Sequence, residues 1–218
     1  MDERHTPSVD TAAGADPRAG GEARVVGAYD ARADEYAAVL GSMDAVHPED
    51  RRLVEDWAAL HSGTLLDAGC GPGHWSAHLA RRGHAVIALD PVERFVSIAR
   101  AAAPEVDVRR GAMESTGLPH GSISGVLSWY SLVHHDPDRV TVALAEFRRV
   151  LAPGGGLLVG CFEGPVLEPF DHAVTTAYRW PTDRLAAVLE RAGFTVDAEH
   201  RRTDRGARPH AALVARRR

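Results

Sequence analysis

The stretch Leu65-Leu66-Asp67-Ala68-Gly69-Cys70-Gly71-Pro72-Gly73-His74-Trp75 decides how this chain reads. An apolar run, Thr64–Ala68, feeds directly into three glycines at alternate positions, and a helical pattern starts at His74 and stops before Gly83. A strand entering such a loop and then a helix presents backbone N–H groups to a bound anion with no side chain in the way. The next apolar run, Ala85–Asp90, ends on an acid 23 residues beyond Asp67. A carboxylate at the tip of the neighbouring strand is placed to accept hydrogen bonds from both hydroxyls of a ribose. The two features together describe a site for a nucleoside-containing cofactor.

Spacing narrows the choice. A dinucleotide fingerprint counted from Gly69 needs its third glycine at position 74, which is His74. An NAD-dependent oxidoreductase is therefore the weaker alternative. The run G-x-G-x-G preceded by Asp67 resembles the first motif of the class I S-adenosylmethionine-dependent methyltransferases, in the branch similar to ubiquinone- and menaquinone-biosynthesis enzymes and secondary-metabolite tailoring enzymes. Asp90, the pair Leu118-Pro119 and the run Arg148-Arg149-Val150-Leu151-Ala152-Pro153-Gly154-Gly155 extend the resemblance over roughly residues 29–200.

The resemblance implies an α/β fold: a Rossmann-like three-layer sandwich with a seven-stranded, mostly parallel sheet in the order 3-2-1-4-5-7-6, strand seven antiparallel. The hydropathy pattern agrees, because short apolar runs alternate with amphipathic stretches as far as a terminal pair of strands, Thr195–Arg202 and about Ala211–Ala215. Residues 1–24 lack aromatic residues and apolar period and read as a disordered arm. Residues 25–218 then form one domain, with helices over residues 25–62 as a cap and residues 163–180 as an acceptor lid.

By resemblance, S-adenosylmethionine is the cofactor and S-adenosylhomocysteine the product. Asp67 and the backbone of Gly69, Cys70, Gly71 and Gly73 would hold its amino-acid end, Asp90 its ribose, and Pro91 or Val92 would pack on adenine. Met113 and Glu114 follow strand three, where the family reads adenine, although Ala112 stands where an Asp is common. The segment Ser128 to His135 would line the methionyl portion, with Trp129 toward the cofactor, and open the acceptor pocket. Tyr130, Tyr29 and Tyr36 offer ring faces that suit a sulfonium. Tyr29 and Tyr36, seven apart, have two open readings: acceptor contact, or docking of their helix. His134 and His135 are the residues suited to act as a base at neutral pH, the alternative being a structural hydrogen bond. His74 and His78 sit at i, i+4 but lack a third ligand nearby in sequence; they read as surface residues, and no metal is expected.

Composition excludes other classes. All 25 basic residues are Arg, so Schiff-base and P-loop chemistry that depends on lysine is absent. Cys70 and Cys161 are too few for a disulfide framework. No apolar run approaches the roughly 20 residues of a membrane span, and the expected location is cytoplasmic. Residues 179–218 carry 10 of the 25 Arg, but the chain's formal charge is −5, so nucleic acid is not an expected partner. The expected partner is a small-molecule acceptor, methylated on O, N or C, with the protein a monomer or homodimer. The abundance of Ala, Arg and Gly without Lys points by association to bacterial secondary metabolism. The competing reading on the same fold is a protein that binds the cofactor without methylating.

Overall fold

A computed structural model describes residues 19–218 of the chain. The elements run α1 (Ala19–Leu40), α2 (Pro48–Ala59), β1 (Leu65–Ala68), α3 (His74–Arg81), β2 (Val86–Asp90), α4 (Glu93–Ala102), β3 (Asp107–Arg110), β4 (Ile123–Trp129), α5 (Pro137–Val150), β5 (Leu151–Glu163), β6 (Glu168–Asp171), β7 (Thr176–Trp180), α6 (Thr182–Arg191), β8 (Phe194–Arg202) and β9 (His210–Arg217). The strands β1 to β5 pair in parallel in the order β3-β2-β1-β4-β5, and β9 then pairs antiparallel with β5 and with β8. That is the expected Rossmann-like order with its antiparallel strand.

Alternation along the buried strands splits the core in two. Leu66, Val126 and Leu157 face α5 and α6, where Leu144, Phe147, Leu185 and Leu189 are buried. Their neighbours Leu65, Leu127 and Leu158 face α2 and α3, packing with Val54, Trp57, Trp75 and Leu79. Successive side chains of a strand point to opposite faces, so strands covered by helices on both sides are apolar throughout.

Two expectations need correction. The sheet has nine strands and not seven. The additional pair is the antiparallel hairpin β6–β7, which lies within residues 163–180, read above only as a lid without strands. The hairpin is anchored because β5 outruns β4: Trp129 pairs with Gly160, whereas Phe162 and Glu163 pair with Arg179 and Trp180 of β7. Its strands are short and interrupted by Pro169, which hides the period-2 signal. The arm is the second correction: α1 begins at Ala19, inside the stretch 1–24, while residues 1–18 lie outside the described residues. Helix α1 is only weakly amphipathic from sequence, and what holds it is tertiary. Tyr29, Tyr36 and Ala33 pack on Phe95 of α4, and Arg94 binds Asp34 at 2.7 Å.

Among the described residues no helix is long and apolar enough to cross a membrane. Both cysteines are buried and free, and burial with the nearby Glu163 charge pushes the Cys161 thiol up to about 12.

Candidate functional site

A cavity of about 980 Å³ opens at the C-terminal ends of β1, β2 and β4. It is at the top of the roughly 300–1,000 Å³ range of small-molecule sites, large enough for a nucleoside cofactor and a second ligand. In open parallel sheets this is where ligands dock.

The glycine loop forms one wall. Gly69, Gly71 and Gly73 all have positive φ, at 77°, 54° and 82°. Their surroundings differ. A Cβ on Gly69 would come 2.3 Å from the Ser131 Cβ, and one on Gly73 would come 2.6 Å from the Ala99 Cβ, so these two serve packing. Nothing lies within 4 Å of a Cβ on Gly71, which lines the same cavity as two acids.

Those acids are Asp67 and Asp90, 3% and 5% exposed. Asp67 accepts a 2.5 Å hydrogen bond from Ser76 Oγ, yet burial, with the Asp90 charge adding to it, pushes its carboxyl up to about 7. Asp90 accepts from the Gly71 N–H at 2.8 Å and from the Val92 N–H at 2.9 Å, and burial pushes it up to about 6. One carboxylate thus fixes the glycine loop and the entry to α4 together. A carboxylate has about four acceptor positions, so after those two bonds Asp90 retains capacity for ligand hydroxyls. Carboxyls raised by burial gain most from a cationic or hydroxyl-rich guest. An α-amino group and a ribose fit that requirement, and Gly71 leaves the room.

The structure brings most of the sequence-derived residues to this cavity: Cys70, Pro91, Met113, Glu114, Trp129 and Tyr130 line it along with the loop and the two acids. Met113 and Glu114 sit in a tight turn closed by the Ser115 N–H to Ala112 C=O bond. Burial would raise the Glu114 carboxyl, but the hydrogen bond with His135 at 2.9 Å and the Arg139 charge outweigh it and hold it below its usual range. Glu114 in that state only accepts, so His135 Nε2 is the donor. His135 is therefore tied to the turn after β3.

His134 is placed differently. Its Nδ1 lies 2.8 Å from the Thr176 carbonyl of β7, which can only accept, so Nδ1 carries the hydrogen and Nε2 accepts from the Tyr29 hydroxyl at 2.7 Å. Burial lowers the imidazole to about 4, so it is neutral at pH 7. Tyr29 stands between His134 and Phe95, and burial raises its own hydroxyl above the usual range. Tyr36 packs on Tyr29 and Phe95, and the Asp90 charge reaches both tyrosines. These two rings accordingly close over the Asp90 end of the cavity.

His74 departs from the surface reading: it lines the cavity, and burial, with His78 nearby, lowers it to about 4. Its partner in spacing, His78, binds Glu55 at 2.7 Å. Among the described residues no group of three or more His, Cys, Asp or Glu is arranged to hold a metal. Sequence reading places Phe162 and Tyr178 with the acceptor lid but misses His172 and His210; all four reach the cavity, from β5, the hairpin and β9. Their long-range juxtaposition leaves no local pattern.

Residues 65–155 match the family profile described as "Methyltransferase domain". The chain has the class I methyltransferase fold and carries that domain. The class uses S-adenosylmethionine, whose amino and ribose groups the two acids and the open glycine suit. An uncharacterized methyltransferase of Mycobacterium bovis is 31% identical over 123 residues, 56% of this chain and 49% of its own. A ubiquinone biosynthesis O-methyltransferase of Hahella chejuensis is 33% identical over 116 residues, 51% of this chain and 48% of its own. The chain spans about half the length of the curated relatives it matches. Among solved structures, the Burkholderia thailandensis 1,6-didemethyltoxoflavin-N1-methyltransferase, with 1,6-didemethyltoxoflavin and S-adenosylhomocysteine bound, superposes with a TM-score of 0.76 at 24% identity. That likeness covers 96% of this chain and 93% of the other, and it establishes the fold.

Proposed function

We propose that this protein transfers a methyl group from S-adenosylmethionine to an oxygen, nitrogen or carbon atom of a small molecule. The observation that carries the reading is Gly71: left-handed, open in front, and lining the same cavity as two buried carboxylates whose pKa values burial has raised. Within this reading the acceptor belongs to bacterial secondary metabolism, which the Arg-only basic composition supports by association.

Bound in this crevice, S-adenosylmethionine supplies an electrophilic methyl group. Asp67 meets the amino-acid end and Asp90 the ribose. Trp129, Tyr29 and Tyr36 exclude water and offer faces that tolerate positive charge. Positioning is the main contribution, since methyl transfer from a sulfonium disperses charge and needs the nucleophile in line.

The acceptor's proton has a path of its own. It passes to the Tyr29 oxygen as the tyrosine proton moves to His134 Nε2. An imidazole held near 4 is a weak base. For a hydroxyl acceptor it suffices, because an oxygen that has gained a methyl group holds its proton only weakly.

The test is calorimetry with S-adenosylhomocysteine, followed by detection of S-adenosylhomocysteine formed with a panel of acceptors. Binding of NADH in place of S-adenosylhomocysteine would overturn the reading. Cofactor binding without turnover on any acceptor would favour the non-methylating alternative.

A further inference from the structure

The far side of the cavity is a continuous wall of rings. Tyr29 and His134 have centroids 5.3 Å apart, His134 and His172 5.6 Å, His172 and Phe162 5.5 Å, Phe162 and Tyr130 5.0 Å, and Tyr130 and His210 5.5 Å. All six line the cavity, and they come from five separate segments: α1, the turn after β4, the loop between β6 and β7, β5 and β9. The folding of distant segments has assembled one aromatic surface.

Two further observations say what the wall is for. The polar atoms of the outer rings are paired with one another: the Tyr29 hydroxyl with His134, and the Tyr130 hydroxyl with His210 Nδ1. Pairing the rim in this way leaves ring faces as most of what a guest meets, with the Tyr29 oxygen still able to accept and the buried Nδ1 of His172 unpartnered. Tyr130 is also held at φ 56°, the sole non-glycine residue at positive φ among the described residues. A bulky residue rarely adopts that backbone, and such outliers persist where the surroundings require a side chain to be aimed. Here the strained residue packs against both Phe162 and His210, which also meet each other at 5.9 Å.

The cations beside the wall are arginines: Arg208 stands over the Phe170 ring, and its charge reaches His172 and His210. Arg202 lies at the His210 end, 14% exposed, but its guanidinium is bound to Asp50 at 2.8 Å and to Asp204. Rings tilted between 45° and 86° to one another present edges and faces in turn. That arrangement suits the quadrupole of another flat ring better than the even surface of an alkyl chain.

We infer that the acceptor is a flat aromatic or heteroaromatic molecule stacked on this six-ring wall, as opposed to an acyl chain, an alkyl alcohol or a peptide. The inference rests on the methyl-transfer reading and deepens it. The test titrates the full chain by calorimetry with naphthol and with decanol, which have the same numbers of carbon and oxygen atoms. Decanol is the more hydrophobic of the two, so apolar burial alone favours decanol and stacking favours naphthol.

The expected result is naphthol at least tenfold tighter. Phe162→Leu and His172→Leu should each weaken naphthol at least fivefold, leaving decanol and S-adenosylhomocysteine unchanged. Equal or tighter decanol binding, or naphthol binding indifferent to both substitutions, overturns the proposal. Phe162 is buried in the core; His172, at the hairpin tip, decides the matter if Phe162→Leu does not fold. Titrations run with and without S-adenosylhomocysteine separate the two readings. Failure of S-adenosylhomocysteine to bind overturns the cofactor assignment, while the naphthol and decanol comparison still decides the wall.

Discussion

On the β1–β2 side of the cavity, the features that face a ligand are backbone and carboxylate, set by residues close in sequence. On the opposite side they are rings contributed by segments as far apart as Tyr29 and His210. The family profile ends at residue 155, so four of the six wall rings, Tyr29, Phe162, His172 and His210, lie outside it. The first side needs one geometry for one cofactor, and a short loop on rigid strands supplies it. The second side faces whatever else is bound, and it is built from α1, the hairpin loop, the turn after β4 and the strands β5 and β9.

The largest expected effect lies on the cofactor side. Asp90 holds the Gly71 and Val92 N–H groups as well as the proposed ribose hydroxyls. Asp90→Ala should therefore weaken S-adenosylhomocysteine by about 100-fold, or roughly 2.7 kcal/mol, the scale of losing charge-assisted hydrogen bonds. Calorimetry reads the change, and a loss under threefold would remove Asp90 from the cofactor site. Binding of naphthol should fall far less, since of the six wall rings only Tyr29 is near that carboxylate.

Asp67 separates function from stability. Its carboxyl is raised in the fold, to about 7 from an ordinary value of 3.8. A raised acid binds its proton more tightly folded than unfolded, so stability falls as pH climbs from about 4 to about 7 and the full cost is present above that. Asp67→Asn should then stabilise the cofactor-free protein at pH 8 by about 2 kcal/mol, or about 4–8 °C in Tm, and give no gain below pH 4. It should at the same time weaken S-adenosylhomocysteine. For the unaltered protein the same proton must leave when an ammonium arrives, so cofactor affinity should fall as pH drops below about 7. A Tm that falls at pH 8 would show that the Asp67 charge is compensated in the fold.

Legibility in the sequence follows the same division. The strand-glycine-helix run and the acid at the end of β2 were readable because each is local: a turn requiring positive φ, and a period that changes from two to three or four. Asp90 read as a ribose ligand, and its two backbone bonds show that anchoring of the glycine loop and of the entry to α4 is built into the same side chain. The hairpin β6–β7 was not readable as strands. Four- and five-residue segments with a proline are held by the free edge of β5, a tertiary fact. Nor did the sequence separate His134 from His135, adjacent residues whose hydrogen bonds run to β7 and to the turn after β3. Helix α1 starts six residues earlier than the composition suggested, because Ala, Gly and Glu lacking an apolar stripe look like linker until Phe95 and Arg94 receive the helix.

The smallest effects should come from the contacts that join the two sides. Helix α1 reaches the hairpin region twice, through Tyr29 to His134 and Thr176, and through Arg32 to the Ala173 carbonyl. Tyr29→Phe keeps the ring on Phe95 and removes only the hydroxyl that His134 Nε2 accepts. It should lower kcat about tenfold with cofactor affinity changed less than threefold, because a relay acts on the reaction and not on binding. Arg32→Ala is the control for that claim. Arg32 is exposed and also bound to Glu35 at 2.7 Å, so its link to the hairpin competes with water and with a neighbouring acid. Its loss should change kcat and acceptor KM by less than threefold. If Arg32→Ala slows turnover as much as Tyr29→Phe, what matters between α1 and the hairpin is closure of the cavity, and the proton path through His134 loses its support.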